Sequence, residues 1–186
     1  MVRDRCREVV RAQGLGEFIT DTNNEIKDME RLRDVDVYNT NMEGDFPVFS
    51  QSSSEFYQMS VVQNKFTGPL PNVSGVSSCE RYKVNDNLFD DYTSGTLATA
   101  TDCKIFYMND NKLNDYHLGP IINDLYLNSN ARGSNSGITV RLYNQTPDSG
   151  NRLNLSWLQN AANSAVNDKY TILVQRGWSF QIDQLP

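Results

Sequence analysis

Histidine is almost missing from these 186 residues, with His117 alone, and cysteine is scarce, with Cys6, Cys79 and Cys103 only. Neither a serine nor a cysteine stands in a recognisable local motif with His117, which is assigned to a turn beside Tyr116, so nucleophilic catalysis finds no starting point. The three cysteines and the histidine lack the close spacing of a zinc site, and three cysteines cannot all pair into a disulfide framework. Positive charge is also short: Lys plus Arg number 17 against 23 for Asp plus Glu, a net charge of -6. Nucleic-acid binders carry a basic face, so nucleic acid is not an expected partner. No run approaches the roughly 18 apolar residues of a membrane span. The first residues, MVRDRCREVVRAQ, alternate charge where a signal peptide needs an apolar stretch, so export by an ordinary leader is not expected.

What is present is a period. In FYQMSVVQNKFTGPLP, residues 56–71, Phe56, Met59 and Val61 stand eight, five and three places before Asn64, with Phe66, Gly68 and Leu70 after it. Moving 23 places on gives Cys79, Tyr82, Val84 and Asn87, then Phe89; 24 more gives Cys103, Phe106, Met108 and Asn111, then Leu113. Going back 24 gives Leu32, Val35, Val37 and Thr40, then Met42, Gly44 and Phe46. Alternating inward residues at each turn predict a short half-buried strand, and the strands should stack in parallel. The asparagines are read as braces for backbone groups left unpaired where the chain turns inward, with Thr40 a weaker version. Cys79 and Cys103 fall at the same position of neighbouring turns. A bridge between them is conceivable, and two buried thiols in an apolar column is the preferred reading.

After Asn111 two frames compete. Ile122, Leu125, Leu127 and Asn130 fit only 19 residues on, whereas Val140, Leu142 and Gln145 fit 34 residues on with Gly137 leading. The second is preferred, with a short helix over 120–127 and the next strand and turn within SGITVRLYNQTP, residues 136–147. Residues 153–174 read as helical, Gly177 ends them, and Trp178, Phe180 and Ile182 alternate as a last strand. At the other end, Val2, Cys6, Val9 and Val10 predict a helix over 2–12, and a capping box at Thr22 and Glu25 predicts a second through Ile26 and Met29 to Leu32. Residues 1–31 are thus expected to be a helical cap or a docking arm.

Residues 32–145 resemble a leucine-rich-repeat domain. NKFTGPLP and NMEGDFP are similar to the plant-type and bacterial-surface variety, NLFDDY and NKLNDY to the simpler bacterial kind. The C-terminal unit resembles those ending leucine-rich repeats in bacterial surface proteins and bacteriophage structural proteins. The resemblance implies an α/β solenoid: a stack of short parallel strands, an irregular convex side, helical caps at both ends, and a repeat domain over 32–186 whose capping unit is 148–186. An antiparallel sandwich is the alternative fold. The family offers its strand face for binding, which here places Asp34, Asp36 and Tyr38; Gln58, Ser60 and Val62; Arg81, Lys83 and Asn85; Ile105, Tyr107 and Asn109; and Thr139, Arg141 and Tyr143 outward. Tyr and Arg are frequent interface anchors.

The expected function is non-enzymatic, with no cofactor: a bacteriophage virion structural protein, decorating a capsid or sitting in a tail or fibre. Its expected partners are other virion subunits or a host-surface protein or glycan, within a multi-subunit assembly. A bacterial cell-surface adhesin is the second expectation. A glycan hydrolase is disfavoured because no spacing selects a carboxylate pair. Asp90 and Asp91, and Asp110 and Asp115 in MNDNKLND, lack the Gly and Glu of a calcium EF-hand loop and are read as polar turns. Gly14-Leu15-Gly16 is too short for a phosphate loop, and the sequons at Asn72, Asn144 and Asn154 are at chance level.

Overall fold

The computed structural model describes residues 8–12, 25–27, 32–50 and 55–183, the first two stretches and 48–50 at the level of the backbone. Its strands in chain order are β1 (Glu8–Ala12), β2 (Glu25–Lys27), β3 (Leu32–Tyr38), β4 (Glu43–Asp45), β5 (Val48–Ser50) and β6 (Gln58–Val62). There follow β7 (Lys65–Thr67), β8 (Arg81–Lys83), β9 (Ile105–Tyr107), β10 (Ile138–Arg141) and β11 (Trp178–Gln181). Seven of them form one sheet in the order β1-β3-β6-β8-β9-β10-β11, and every neighbouring pair is parallel. The architecture is α/β. Two small parallel ladders, β2 with β5 and β4 with β7, accompany the main sheet.

The register follows the sequence period. Val35, Met59, Tyr82, Phe106, Val140 and Phe180 stand opposite one another across successive strands. Apart from the half-buried Phe180, these are buried, and with Leu32, Val37, Phe56, Val61, Val84, Met108 and Leu142 they form the core behind the sheet. Aromatic rings continue it: Phe66 stacks on Phe89 at 6.2 Å, Phe106 on Trp178 at 6.0 Å, and Phe46 meets Phe66 edge-on at 5.4 Å.

The asparagines brace the backbone. Asn87 Nδ2 donates to the Val61 and Asn85 carbonyls at 2.8 and 3.1 Å, while its Oδ1 accepts from Phe66 N at 3.4 Å. Asn111 repeats this one turn on, donating to Val84, Met108 and Asn109 and accepting from Phe89 N. Gln145 does the same with Met108 O and Leu113 N. The residue before each brace turns the chain inward with a left-handed conformation: Gln63, Asp86, Asp110 and Asn144 have φ of 57, 57, 55 and 55°. Thr40 has no amide to reach back with, and instead its N–H and hydroxyl donate to Asn64 Oδ1.

Between β9 and β10 lies α1 (Asp115–Ala131), so the 34-residue frame holds and the 19-residue frame falls on a helix. Asn114 caps α1, and His117, expected in a turn, is its third residue: His117 Nδ1 accepts from Asn114 N at 3.1 Å. The helix is tied to the preceding turn through Asp124, which accepts from Tyr92 Oη at 2.6 Å and Gly95 N at 2.7 Å, and through Asn128, which donates to Leu97 O and Ala100 O. Next come α2 (Leu155–Gln159), a turn of 3-10 helix over Ala161–Asn163, and α3 (Ser164–Gln175), which ends at Gly177 with φ 88°. Cys79 and Cys103 are buried and free.

The N-terminal helices are corrected. Residues 8–12 form a strand beside β3, with Val10 opposite Val35, and residues 25–27 form a strand beside β5. The rest of 1–31 lies outside the described residues. The helical spacing of Val2, Cys6, Val9 and Val10 misled because β-branched residues suit a strand better, and a helix this short is marginal alone. The open edge of β3 supplies a full row of hydrogen bonds for such a segment.

Candidate functional site

Parallel pairing in register turns the outward strand residues into rows that cross the sheet. One row runs Asp34, Gln58, Arg81, Ile105, Thr139, and the next runs Asp36, Ser60, Lys83, Tyr107, Arg141. Strands about 4.8 Å apart bring the side chains of a row into contact. Tyr38 leads a third row and is 57 % exposed.

Cations and aromatic rings alternate along these rows. The Tyr107 ring carries the Arg141 guanidinium 4.1 Å from its centroid and the Lys83 ammonium at 5.9 Å. The Tyr57 ring carries Arg33 at 4.8 Å and Arg81 at 5.4 Å. A cation over an aromatic face is held by the ring quadrupole, worth roughly 0.5–1 kcal/mol at exposed sites. Each stack therefore biases a flexible cation toward one orientation. The two rows carry Arg81, Lys83 and Arg141 in the middle and at one end and Asp34 and Asp36 at the other, and Arg33 is 3.7 Å from Asp34. Two polar atoms on it, Asp34 Oδ1 and Arg141 Nε, are buried without a hydrogen-bond partner.

The expected residues divide in three. Tyr38 and Arg81 are exposed, while Gln58, Ser60, Lys83, Asn85, Ile105, Tyr107, Thr139, Arg141 and Tyr143 are half-buried on the face. Val62 and Asn109 are corrections, at 9 % and 5 % exposure. Both stand just before the left-handed turn residues Gln63 and Asp110, where the chain bends inward and draws the preceding side chain with it. Asn109 Nδ2 is occupied by Asp110 Oδ2.

Tyr57 and Arg33 belong to the face and were missed, since strict alternation gives one outward residue between inward ones. Two residues separate Leu32 from Val35 and Phe56 from Met59, and the first of each pair, Arg33 and Tyr57, reaches the face as well. The spacing of the repeat was the available signal.

Elsewhere the polar groups serve the fold. His117 Nε2 lies 3.4 Å from Asp91 Oδ1, and Asp115 accepts from Asn151 Nδ2 at 3.1 Å. Burial raises the Tyr82 and Cys103 pKa values, and burial next to Asp124 raises that of Tyr92. Each of these groups is thereby kept in its neutral form. Among the described residues, no group of three or more His, Cys, Asp or Glu side chains is placed to hold a metal ion, and no helix is long and apolar enough to cross a membrane.

Comparison with protein-family models, with characterised proteins and with solved structures finds no match for this chain.

Proposed function

We propose that this chain is a non-enzymatic binding module of the leucine-rich-repeat solenoid type, which docks an acidic protein surface on its strand face as a structural component of a bacteriophage virion. The observation that carries the docking reading is the pair of cation and aromatic stacks, Arg33-Tyr57-Arg81 and Lys83-Tyr107-Arg141. Arg and Tyr held rigid lose little entropy on binding, which makes them effective anchors. The repeat reading rests on strands that pair in chain order and on amide braces that recur every turn. The virion setting rests on the resemblance of the C-terminal unit, SGITVRLYNQTP with its following helix and RGWSFQID, to those of phage structural proteins.

The test uses purified particles. Mass spectrometry is expected to find the chain in them, with cross-links from Lys83 to a second subunit. Particles that never contain the chain would sink the virion setting. The docking face is tested separately by the double variant Lys83→Glu/Arg141→Glu, which should fold and fail to incorporate; normal incorporation refutes the assignment of the face.

A further inference from the structure

A second feature shares no side chain with the cation and aromatic rows. At the leading ends of β8, β9 and β10 the surface opens into a cleft of about 660 Å³, within the size range of small-molecule sites. Its polar walls include Glu80, Asp102, Lys104, Arg132, Ser134 and Ser136.

Arg132 lines this cleft and is its most enclosed charged group. It follows α1 directly and is only 8 % exposed. Two contacts set its orientation: Nη2 donates to the Cys103 carbonyl, and the guanidinium lies 4.9 Å from the centroid of the Trp178 ring, which is itself anchored by Nε1 to Asn135 Oδ1 at 2.9 Å. Nε is buried with no hydrogen-bond partner, and among the described residues no carboxylate lies within ion-pair distance of the side chain. A buried guanidinium that has only a non-contacting carboxylate, Asp102, to offset its charge is costly unless something supplies a closer counter-ion. Burial lowers its pKa, and the neighbouring Asp102 carboxylate offsets only part of that.

The other walls narrow the choice of ligand. Lys104 is exposed and adds a second cation, while Glu80 and Asp102 bring negative charge that disfavours a compact dianion such as phosphate. Carboxylates and serine hydroxyls are good acceptors for hydroxyl donors. Ser134 Oγ and Ser136 Oγ lie 3.1 Å apart, so they present a paired hydroxyl edge. An added Cβ at Gly133 would meet nothing within 4 Å, which leaves this wall open.

The geometry points to a binding site for a carboxylated sugar, a uronic or sialic-type acid, whose carboxylate pairs with Arg132 and Lys104 and whose hydroxyls donate to Glu80, Asp102 and the serine pair. This site does not depend on the strand-face reading, although a module that bound an acidic glycan would suit contact with a host surface.

The test is titration of the full chain with glucuronate and with N-acetylneuraminate, followed by amide chemical shifts, with glucose, acetate, phosphate and serine as comparison probes. Expected are saturable shifts around Lys104 and residues 132–137 for an acidic sugar, and none for glucose. Lys104→Glu, a surface change, should weaken binding by about tenfold or more, and Arg132→Gln should abolish it. Arg81→Glu/Lys83→Glu on the strand face should leave it unchanged. Three results overturn the site: no saturable binding of either sugar acid, equal or better binding of glucose, phosphate, acetate or serine, or affinity unaltered in Lys104→Glu. Loss of sugar binding in the strand-face variant would likewise place the ligand elsewhere.

Discussion

Replacing Asn111 by alanine tests the bracing role most directly. The side chain is 1 % exposed and makes four hydrogen bonds, donating to Val84 O at 3.0 Å, Met108 O at 3.1 Å and Asn109 O at 3.2 Å, and accepting from Phe89 N at 3.2 Å. Their loss is unequal. Met108 O keeps Gln145 Nε2, and Asn109 O keeps Asp86 N. Val84 O keeps only the 3.4 Å contact from Asn87, and Phe89 N loses the side-chain acceptor that satisfies it. One orphaned buried donor costs about 1–3 kcal/mol, and a weakened acceptor and the vacated amide volume bring the total to about 2–4 kcal/mol. Urea denaturation should show a lower midpoint at unchanged slope, and thermal unfolding a fall of about 6–12 °C for a domain of this size. Asn111→Asp gives a sharper readout. It keeps the acceptor for Phe89 N–H but sets a carboxylate against three carbonyl oxygens, so its folded pKa should lie above its unfolded value near about 4. At pH 7 it should be at least as destabilising as alanine, and the deficit should shrink as pH falls through the raised folded pKa. A loss below about 1 kcal/mol for Asn111→Ala, or a pH-independent deficit for Asn111→Asp, would refute the bracing role.

Further outcomes follow from the same contacts. Tyr82 and Tyr92 both have raised folded pKa values, so their contribution to stability is complete below the unfolded value of about 10 and is lost as pH rises toward the folded values; alkaline titration monitored by circular dichroism should show unfolding above that point, shallower in Tyr92→Phe. Tyr82→Phe should itself cost about 1 kcal/mol at neutral pH by calorimetry, because the Pro71 carbonyl loses the phenol that lies 2.8 Å away. Cys79 and Cys103, buried and free, should resist a thiol reagent in the folded protein and both react in urea, with peptide mass spectrometry locating the adducts. Gly177→Ala should cost about 1 kcal/mol in urea denaturation through its φ of 88°, since a Cβ there meets nothing closer than Asn135 O at 3.9 Å.

Much of the sheet was legible in the spacing. Inward residues at Met59, Tyr82, Phe106 and Val140 are the residues that stand opposite one another across the strands, and the amides five places on, Asn64, Asn87, Asn111 and Gln145, are the braces. Periodicity of this kind survives because every turn must solve the same two problems, an apolar face to bury and unpaired backbone to satisfy. The N-terminal segment was misread because its valines fit helical and strand spacing equally over a few residues. The free edge of β3, which decides between them, comes from a different part of the chain.

By itself, the order of residues determined where the main-sheet strands from β3 to β10 lie, which alternate side chains form their apolar column, and which asparagines brace the backbone, since these depend on local spacing and on the chemistry of single residues. Tertiary structure alone decided the rest. The two outward residues of each repeat gap, the burial of Val62 and Asn109, and the stacks of Tyr57 and Tyr107 with cations from neighbouring strands depend on how successive turns align. So does Arg132, the residue that caps the end of α1 and becomes a buried cation without a contacting carboxylate only because Cys103 and Trp178, 29 residues before it and 46 after, close around it. Energies that arise between turns leave no mark on the spacing within one turn.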